Sequence, residues 1–261
     1  LAKVDLSSLR TIGSGSAPLA PSMVKGFQER FGIMVVNLFG SNEGMSLVTG
    51  PETVPEPVER ASYFPREMVL EPMLGGTAAA MAETRLVSIG DGSEITEVGV
   101  PGELEIRGPS VFEGYHEAPE QTEAAFTEDG FFRTGDLFEI AGDGRFYRFV
   151  GRCKDLIIRG GVNIAPEEID QLLGGHPLLA EACAFPLPDP VMGERIGLAY
   201  VPREDREIAL EEVTDFLREK DLAVFKLPER MYRFEALPRN VTNKAMRSEV
   251  REQALGLREG A

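Results

Sequence analysis

Two carboxylates in this chain occur in patterns that present an acidic side chain to a ligand. Asp136 follows a Thr-Gly pair in the run RTGDL. An Asp in such a position can accept two charge-assisted hydrogen bonds from the hydroxyls of a ribose, although an Asp in a turn is more commonly a local cap. Glu43 lies in LFGSNEG, directly after an apolar run. A carboxylate there can hold Mg²⁺ against nucleotide phosphates, and the alternative is a solvated loop side chain.

Three cationic side chains lie in segments where they could be either functional residues or solvated surface charges. The run GRCKD, residues 151–155, places Arg152 and Lys154 at the end of a strand pattern, where a charged linker between domains is the simpler interpretation. Cys153 between them has no apparent base nearby, so we expect no nucleophilic role for it. Lys244 opens a helical pattern after a Pro/Asn-rich loop in LPRNVTNKAMRSEV. Taken alone, that setting is typical of a solvated surface lysine.

Two glycine-rich turns allow a close approach of the backbone to a ligand. In GSGSAPL, residues 13–19, Gly15, Ser16 and Ala17 follow a short strand, and a plain turn between strand and helix is the simpler interpretation. In RGGVNIAPEEI, residues 159–169, Gly160 and Gly161 precede a helix. A structural turn and a ligand-lining turn are equally supported there.

The first 150 residues predict one large domain in two parts. Residues 1–50 are α/β: a helix over Pro18–Phe31 is flanked by a short strand and by the apolar run GIMVVNLFG, which indicates a parallel βαβ unit. Residues 51–96 predict an irregular excursion with one or two strands. Residues 97–150 contain short alternating strands, including SVFEGY, with a hairpin signal at Asp143-Gly144. This part predicts a small antiparallel sheet or β-barrel.

A domain boundary is predicted at residues 151–155. Beyond it, residues 151–261 alternate strand and helix patterns, among them helices over PEEIDQLLGG, ALEEVTDFLREK and NKAMRSEVREQAL. About 110 residues of this kind can hold a small core of their own. The fold class expected for the chain is therefore α/β and α+β, ending in a small α/β domain.

Composition excludes several classes of function. The formal net charge of −16 argues against nucleic acid, which needs a basic surface. No apolar run approaches about 18 residues, so no transmembrane helix is expected. Two cysteines are too few for a disulfide framework, which favours a reducing cytoplasm. His116 and His176 lie in unrelated contexts, one expected at the surface and one capping a helix-to-strand connection, so no Ser-His-Asp triad is proposed. The GxxxxGK phosphate loop does not occur.

The order of these motifs resembles that of the acyl-adenylate-forming enzymes, the superfamily of acyl-CoA synthetases, luciferases and peptide-synthetase adenylation domains. The strongest stretch is 131–170, and the resemblance extends from about residue 9 to about residue 251. GSGSAPL is similar to the family's GGAPL, LFGSNEG to YGxTE, and LPRNVTNK to LPRTxTGK. The sequence departs from these patterns at Ser16, Asn42 and Asn243, which replace Gly, Thr and Gly.

The resemblance implies a role for each candidate residue. Nucleotide contacts are implied for the backbone of GSGSAPL and for the loop residues Phe39, Gly40 and Asn42, with Phe39 stacking on adenine. Asp136 would bind the ribose hydroxyls and Arg152 the ribose or phosphates. Glu43 would be the magnesium ligand and Lys244 the catalytic cation of adenylation. Rotation about a hinge at Lys154 would then bring Gly160 and Gly161 to line a tunnel for CoA.

The resemblance also implies a parent enzyme that converts a carboxylic acid with ATP and Mg²⁺ to acyl-AMP and then to acyl-CoA. The family's phosphate loop and most of its acyl pocket would lie N-terminal to this segment, so we expect the chain to be the carboxyl-terminal half and to be inactive alone. Two alternatives stay open. The acceptor could be the thiol of a carrier protein, or the chain could be a nucleotide-binding or interaction module without chemistry.

Overall fold

The computed structural model describes residues 5–15, 18–66, 82–241 and 243–259. The chain divides into two compact units, Leu1–Val150 and Gly151–Ala261, called here the first and the second unit. Ser16 and Ala17 lie outside the described residues. No helix among the described residues has the length and apolar character needed to span a bilayer.

The first unit begins with the expected βαβ arrangement. Strand β1 (Thr11–Gly15) pairs in parallel with β2 (Met34–Ser41), and helix α1 (Pro21–Phe31) connects them. Proline at the first turn fits the start of α1, and Gly32, at φ 65°, ends it in the left-handed conformation. Strand β3 (Gly44–Thr49) returns antiparallel to β2. Helix α1 starts at Pro21, three residues later than the predicted start at Pro18.

A buried arginine ties this arrangement to the segment that follows. Arg60 ends the short helix α2 (Pro57–Arg60) and is fully buried. No carboxylate among the described residues hydrogen-bonds it; its guanidinium donates instead to the Gln28 side chain and to the carbonyl oxygens of Val35, Val54 and Pro55. Burial lowers the pKa of Arg60. Replacing Arg60 would leave these carbonyl oxygens without a hydrogen-bond donor. Arg60 is therefore a structural residue of the first unit.

A five-stranded sheet completes the first unit, in the order β4-β8-β7-β6-β5. In β6, the buried apolar residues Leu104 and Ile106 alternate with charged ones, whereas the last six residues of β7 are all buried. The sheet is an open one in the described residues. The bounds are β4 (Tyr63–Pro65), β5 (Glu83–Val87), β6 (Pro101–Arg107), β7 (Phe132–Ala141) and β8 (Phe146–Arg152).

Three details of this region differ from the sequence prediction. The run SVFEGY forms no strand, and residues Pro119–Ala125 form a short helix, α3, in a region expected to be β-rich. Proline at its first turn and the helix-forming residues Glu, Gln and Ala explain that helix. The Thr-Gly-Asp turn is not a separate turn either. It lies inside β7, where Gly135 has φ 69° and the pairing with β6 is shifted in register.

The second unit is built on one mixed sheet. Its path is β10-β9-β12-β11, and β13 adds in parallel to β12. The strands are β9 (Ile157–Arg159), β10 (Val162–Ile164), β11 (Leu179–Asp189), β12 (Gly193–Pro202) and β13 (Arg230–Arg233). The helices are α4 (Pro166–Leu173), α5 (Leu210–Glu219) and α6 (Arg247–Glu259), with 3₁₀ turns at Cys153–Asp155 and Val224–Lys226.

Helices cover this sheet on both faces. Ala184 and Leu198 join the core that contains the buried residues of α4 and α5, whereas Phe185 and Ala199, one position further along each strand, join the core under α6. Alternation of this kind follows from the period of two in a strand. The second unit therefore has a core of its own on each side of its sheet.

The structure corrects two local predictions in the second unit. Gly160 and Gly161 form the turn of the β9–β10 hairpin and do not lead directly into a helix. Helix α6 begins at Arg247, so Lys244 precedes it in a separate turn and does not open it. In both places the chain folds back and pairs with itself over a few residues, Val162 with Arg159 and Ala245 with Arg239, before the helix begins.

Candidate functional site

A small pocket in the first unit brings together two candidate residues from distant parts of the sequence. Phe39 of β2 and Asp136 of β7 both line it, with Ser41, Gly44, Leu104, Ile106 and Thr134. The cavity volume is about 10 Å³, which is room for roughly one water molecule and far below the roughly 300 Å³ of a ligand pocket. The cavity by itself is therefore too small to enclose a ligand.

Aromatic neighbours fix the ring of Phe39. The ring lies edge-on to Phe138 with centroids 4.9 Å apart, and it also contacts Phe64 at 6.0 Å and Phe149 at 5.9 Å. Such contacts contribute about 0.5–1.5 kcal/mol per pair beyond the burial of area. The half-buried ring is thus held rigidly at the pocket wall, where a flat ligand can pack on it.

Strand β6 sets the conformation around Asp136. Thr134 Oγ1 donates to the carbonyl of Leu104 at 2.7 Å and accepts from the Asp136 N–H at 3.1 Å. The Gly135 N–H donates to Glu103 Oε1 at 3.0 Å. Burial raises the pKa of Glu103, although this hydrogen bond opposes the shift. Glu103 therefore holds the backbone next to Asp136. The sequence analysis missed this role because no local sequence pattern indicates it.

Glu43 lies in the turn between β2 and β3, next to the exposed Asn42. The Phe112 N–H donates to its carbonyl oxygen at 2.8 Å, and the Tyr115 hydroxyl donates to its Oε1 at 3.3 Å. Burial, and then the neighbouring Glu43 carboxylate, raise the pKa of Tyr115. No cluster of three or more metal-ligating side chains occurs in the described part of the chain. One oriented carboxylate nevertheless fits Mg²⁺, which takes its other ligands from phosphates and water.

The loop that carries Tyr115 packs directly on the Glu43 turn. At Gly44, with φ 131°, a Cβ atom would lie 2.3 Å from the carbonyl oxygen of Ser110. Only glycine fits there without moving the loop. At the other end of the loop, the Tyr115 N–H donates to Thr122 Oγ1 of α3 at 2.9 Å. The unpredicted helix α3 therefore helps to place Tyr115 beside Glu43.

Gly15 and Gly40 occupy strand positions. Gly15 pairs with Leu38, and a Cβ atom on it would lie 2.5 Å from the Leu38 carbonyl oxygen. The close approach of β2 therefore requires a glycine at this position, independently of any contact of its backbone with a nucleotide. Gly40 pairs with Ser46 of β3.

The remaining candidates belong to the second unit. Arg152 is exposed at the end of β8, and Lys154 is exposed in the adjoining 3₁₀ turn. Gly160 and Gly161 have φ 57° and 82°, a region that favours glycine. The Gly160 N–H donates to the Met192 carbonyl at 2.8 Å, and a Cβ atom on Gly160 would lie 2.7 Å from Met192 Cε. Both the positive φ and the contact with Met192 thus favour glycine at position 160. At position 161 only the positive φ does.

Lys244 is exposed in a turn closed by a β-bridge between Arg239 and Ala245. Its N–H donates to Asn240 Oδ1 at 2.9 Å, and its carbonyl accepts from the Asn240 N–H at 2.9 Å. Asn243, which replaces the family's glycine, has φ 63°. This is the left-handed conformation, which Asn tolerates better than most non-glycine residues.

A buried ion cluster lies at the start of α6, close in sequence to Lys244. Arg247 donates to Glu167 Oε1 at 2.9 Å, to Asp170 Oδ2 at 3.0 Å and to the Ala184 carbonyl. Burial raises the pKa of Asp170 to about 6 and raises that of Glu167, although Arg247 opposes both shifts. Burial also raises the pKa of Cys183 to about 12. The cluster joins α4, β11 and α6 into one rigid body.

Both histidines occupy the kind of place expected from sequence. His116 has a side chain that is 94% exposed, which confirms a surface position. His176 is buried between α4 and β11, accepts from the Leu178 N–H through Nδ1 at 3.2 Å, and lies edge-on to Phe216. Burial lowers its pKa. It caps the helix-to-strand connection, as predicted.

Two family models match the chain. The model described as AMP-binding enzyme matches residues 1–116, and the model described as AMP-binding enzyme C-terminal domain matches residues 168–244. The chain belongs to the AMP-binding, acyl-adenylate-forming enzyme family. The resemblance stated from the motifs is thereby confirmed, and so is the fold class, because the solved structures it matches are adenylate-forming enzymes of mixed α/β architecture.

The relatives that the chain matches are about twice its length. The chain is 36% identical to the probable CoA ligase CCL9 of Humulus lupulus over 95% of its own length and 44% of that protein. It is 33% identical to the 2,3-dihydroxybenzoate-AMP ligase of Bacillus subtilis over 96% and 44%. The ATP-bound structure of MatB from Rhodopseudomonas palustris superposes with a TM-score of 0.75 at 30% identity, over 92% and 44%. The chain thus spans less than half of each of these relatives.

Proposed function

We propose that this chain is the carboxyl-terminal part of an ATP-dependent ligase that converts a carboxylic acid to an acyl-AMP and then to an acyl thioester. The observation that carries the proposal is the shared pocket of Phe39 and Asp136, residues almost one hundred positions apart. An aromatic ring and a carboxylate at one pocket wall suit an adenine and the hydroxyls of its ribose. Family membership supports the use of ATP.

In the proposed first step, a carboxylate oxygen of the substrate attacks the α-phosphorus of ATP. A new C–O–P linkage forms while the bond to pyrophosphate breaks, and both electrons of that bond leave with pyrophosphate. Lys244 and Arg152 stabilise the negative charge on the transferring phosphate. Glu43, whose carboxylate accepts a hydrogen bond from Tyr115, would hold Mg²⁺, and the ion would supply positive charge next to the phosphates.

In the proposed second step, a thiolate attacks the acyl carbon and AMP leaves with the bonding electrons. We assign the thiol to CoA in the first instance, with the Gly160-Gly161 turn along its path and Lys154 as the hinge about which the second unit rotates. A carrier-protein thiol is the alternative acceptor. That alternative is supported by the AMP-ligase relative from Bacillus subtilis, whose name states an adenylating activity and no CoA product.

The chain alone is proposed to be inactive, because the curated relatives are about twice as long and the family's phosphate loop precedes the matched part. The pocket of its first unit is also far too small to enclose a nucleotide. The competing hypothesis is a nucleotide-binding or interaction module without chemistry. The expectation of a cytoplasmic protein stays a prediction.

The first experiment measures ATP–pyrophosphate exchange with a panel of aliphatic, aromatic and dicarboxylic acids. We expect exchange by the natural full-length protein with at least one acid, and none by the 261-residue chain. Thioester formation is then followed separately with CoA and with a phosphopantetheine-bearing carrier protein. A full-length protein that binds ATP but exchanges with no acid would favour the non-catalytic module, and exchange by the 261-residue chain would contradict its proposed inactivity.

A further inference from the structure

The turn that carries Lys244 is held by hydrogen bonds within its own unit. We define the Lys244 turn as residues 239–241 and 243–245. The Met246 N–H donates to the carbonyl of Pro238 at 2.8 Å, and the Asn243 N–H donates to that of Asn240 at 2.9 Å. The Lys244 side chain is exposed, and no acidic partner for its ammonium group lies among the described residues of the second unit. The backbone of the turn therefore fixes the point from which the Lys244 side chain extends.

One peptide group within this turn is held at both ends. Its carbonyl, from Asn243, accepts a hydrogen bond of 2.6 Å from Arg239 Nη1. Its N–H, from Lys244, donates to Asn240 Oδ1 at 2.9 Å. A peptide is planar, so fixing its two polar ends fixes the plane from which the Lys244 Cα–Cβ bond departs.

Arg239 is itself anchored on the sheet. Its Nη2 donates to Glu181 Oε2 of β11 at 2.6 Å, and both side chains are 34% exposed. Hydrogen bonds between charged partners are the stronger ones, and the planar guanidinium spans two acceptors in a fixed geometry that a lysine cannot reproduce. Asn243 at φ 63° occupies a conformation that non-glycine residues rarely adopt. The Arg239 contact offsets the cost of that conformation.

We propose that Arg239, anchored by Glu181, is a positioning residue that aims Lys244 at the transferring phosphate during adenylation. The inference rests on the proposed function, since it gives Arg239 a role only through Lys244. Its effect follows from geometry: without Arg239 the 243–244 peptide can rotate, and the lysine ammonium moves away from its productive place. A misplacement of about 1 Å can cost about 100-fold in rate.

The test uses the natural full-length protein and measures the two half-reactions separately. In Arg239→Met, the kcat of adenylation is expected to fall about 10- to 100-fold, while thioester formation from supplied acyl-AMP stays within about twofold. Glu181→Gln should lower adenylation less, because Arg239 keeps its bond to Asn243. The matched control is Arg233→Met, which breaks another partly exposed ion pair of the second unit, with Asp205, and should leave both half-reactions unchanged.

Combination with Lys244→Ala distinguishes the role of Arg239 from a structural one. If Arg239 acts only through Lys244, the double variant adenylates no more slowly than Lys244→Ala alone. Additive losses, equal losses in both half-reactions, or a normal Arg239→Met enzyme beside a crippled Lys244→Ala enzyme would each overturn the inference. If Lys244→Ala adenylates normally, the catalytic assignment of Lys244 in the proposed function fails as well, and that result is distinguishable from the others.

Discussion

Asp136 shows how a single carboxylate acquires a defined direction before any ligand arrives. It is 8% exposed, and its backbone is held through Thr134 and Gly135 by hydrogen bonds to β6. In the proposed nucleotide complex, a backbone fixed in this way would not have to lose conformational freedom when a ribose binds to Asp136. Its contribution should therefore appear mainly in the affinity for the nucleotide.

The first prediction is for Asp136→Asn in the full-length protein. An amide keeps the size of the side chain but loses the charge that strengthens a hydrogen bond to a hydroxyl. Such bonds contribute about 1.5–3 kcal/mol, so the KM for ATP should rise about 10- to 150-fold while the KM for the acid changes little. Steady-state exchange kinetics measure both constants.

Asp143→Asn is the matched control for this prediction. Asp143 lies in the turn between β7 and β8, is exposed and pairs with Arg145. The same chemical change there should leave the KM for ATP unaltered. An equal rise in both variants, or no rise in Asp136→Asn, would show that Asp136 does not contact the nucleotide.

At the scale of elements, the hairpin turn between β11 and β12 depends on Asp189. Its Oδ1 accepts from the N–H groups of Met192 and Val191, and its Oδ2 accepts from Arg195 at 2.5 Å. The Met192 backbone bond first, and then Arg195, lower the pKa of Asp189 from 3.8 to about 2. The ionised carboxylate therefore stabilises the turn that lies beside Gly160.

The sign of the resulting pH dependence follows from this lowered pKa. The stabilisation by Asp189 is fully present above the unfolded value near 4, and it is lost as the pH falls from about 4 to about 2. We predict that Asp189→Asn lowers the free energy of unfolding at neutral pH and flattens its decline in that window. Urea unfolding of the chain at several pH values measures both effects. Parallel curves for the two proteins would contradict the prediction.

Local sequence predicted the elements well wherever one residue pattern determined them. The apolar run before Phe39 predicted β2, and the spacing of Met23, Phe27 and Phe31 predicted α1. It could not predict contacts between distant segments. The Tyr115 bond to Glu43 and the Arg239 bond to Glu181 join residues 72 and 58 positions apart. Neither pair has a local signature, so the supports of the candidate site emerged only from the fold.

Short elements were the other source of error. Helix α3 has seven residues, too few to show a helical period, and β10 has three. Proline and helix-forming residues account for α3, whereas β10 forms by pairing with β9. The glycines at 160 and 161 were consequently assigned to a turn before a helix, whereas their positive φ angles serve a hairpin.

At the scale of the whole molecule, the candidates are distributed over both compact units. The nucleotide candidates Phe39 and Asp136 belong to the first unit, and Lys244 belongs to the second. The proposed function therefore requires the second unit to adopt two orientations, one for each half-reaction. Domain motions of this kind commonly limit turnover.

We predict that Lys154→Pro in the full-length protein impairs thioester formation more than adenylation. Proline fixes φ near −65° and removes an N–H, so it restricts the backbone rotation proposed at this position. Lys154→Ala is the control, because it removes the charge and keeps the backbone free. Separate measurement of the half-reactions distinguishes the two. If proline and alanine behave alike, the hinge lies elsewhere.

The ion cluster around Arg247 has a consequence for the chemistry of sulfur. Cys183 lies in the same buried environment, with its thiol pKa raised to about 12. A raised pKa lowers the ionised fraction of this thiol at neutral pH, and the thiolate is the form that reacts with alkylating agents and oxidants. In the unfolded chain the same group returns to an ordinary acidity. The rate at which Cys183 is modified should therefore report how often the second unit unfolds far enough to expose this thiol.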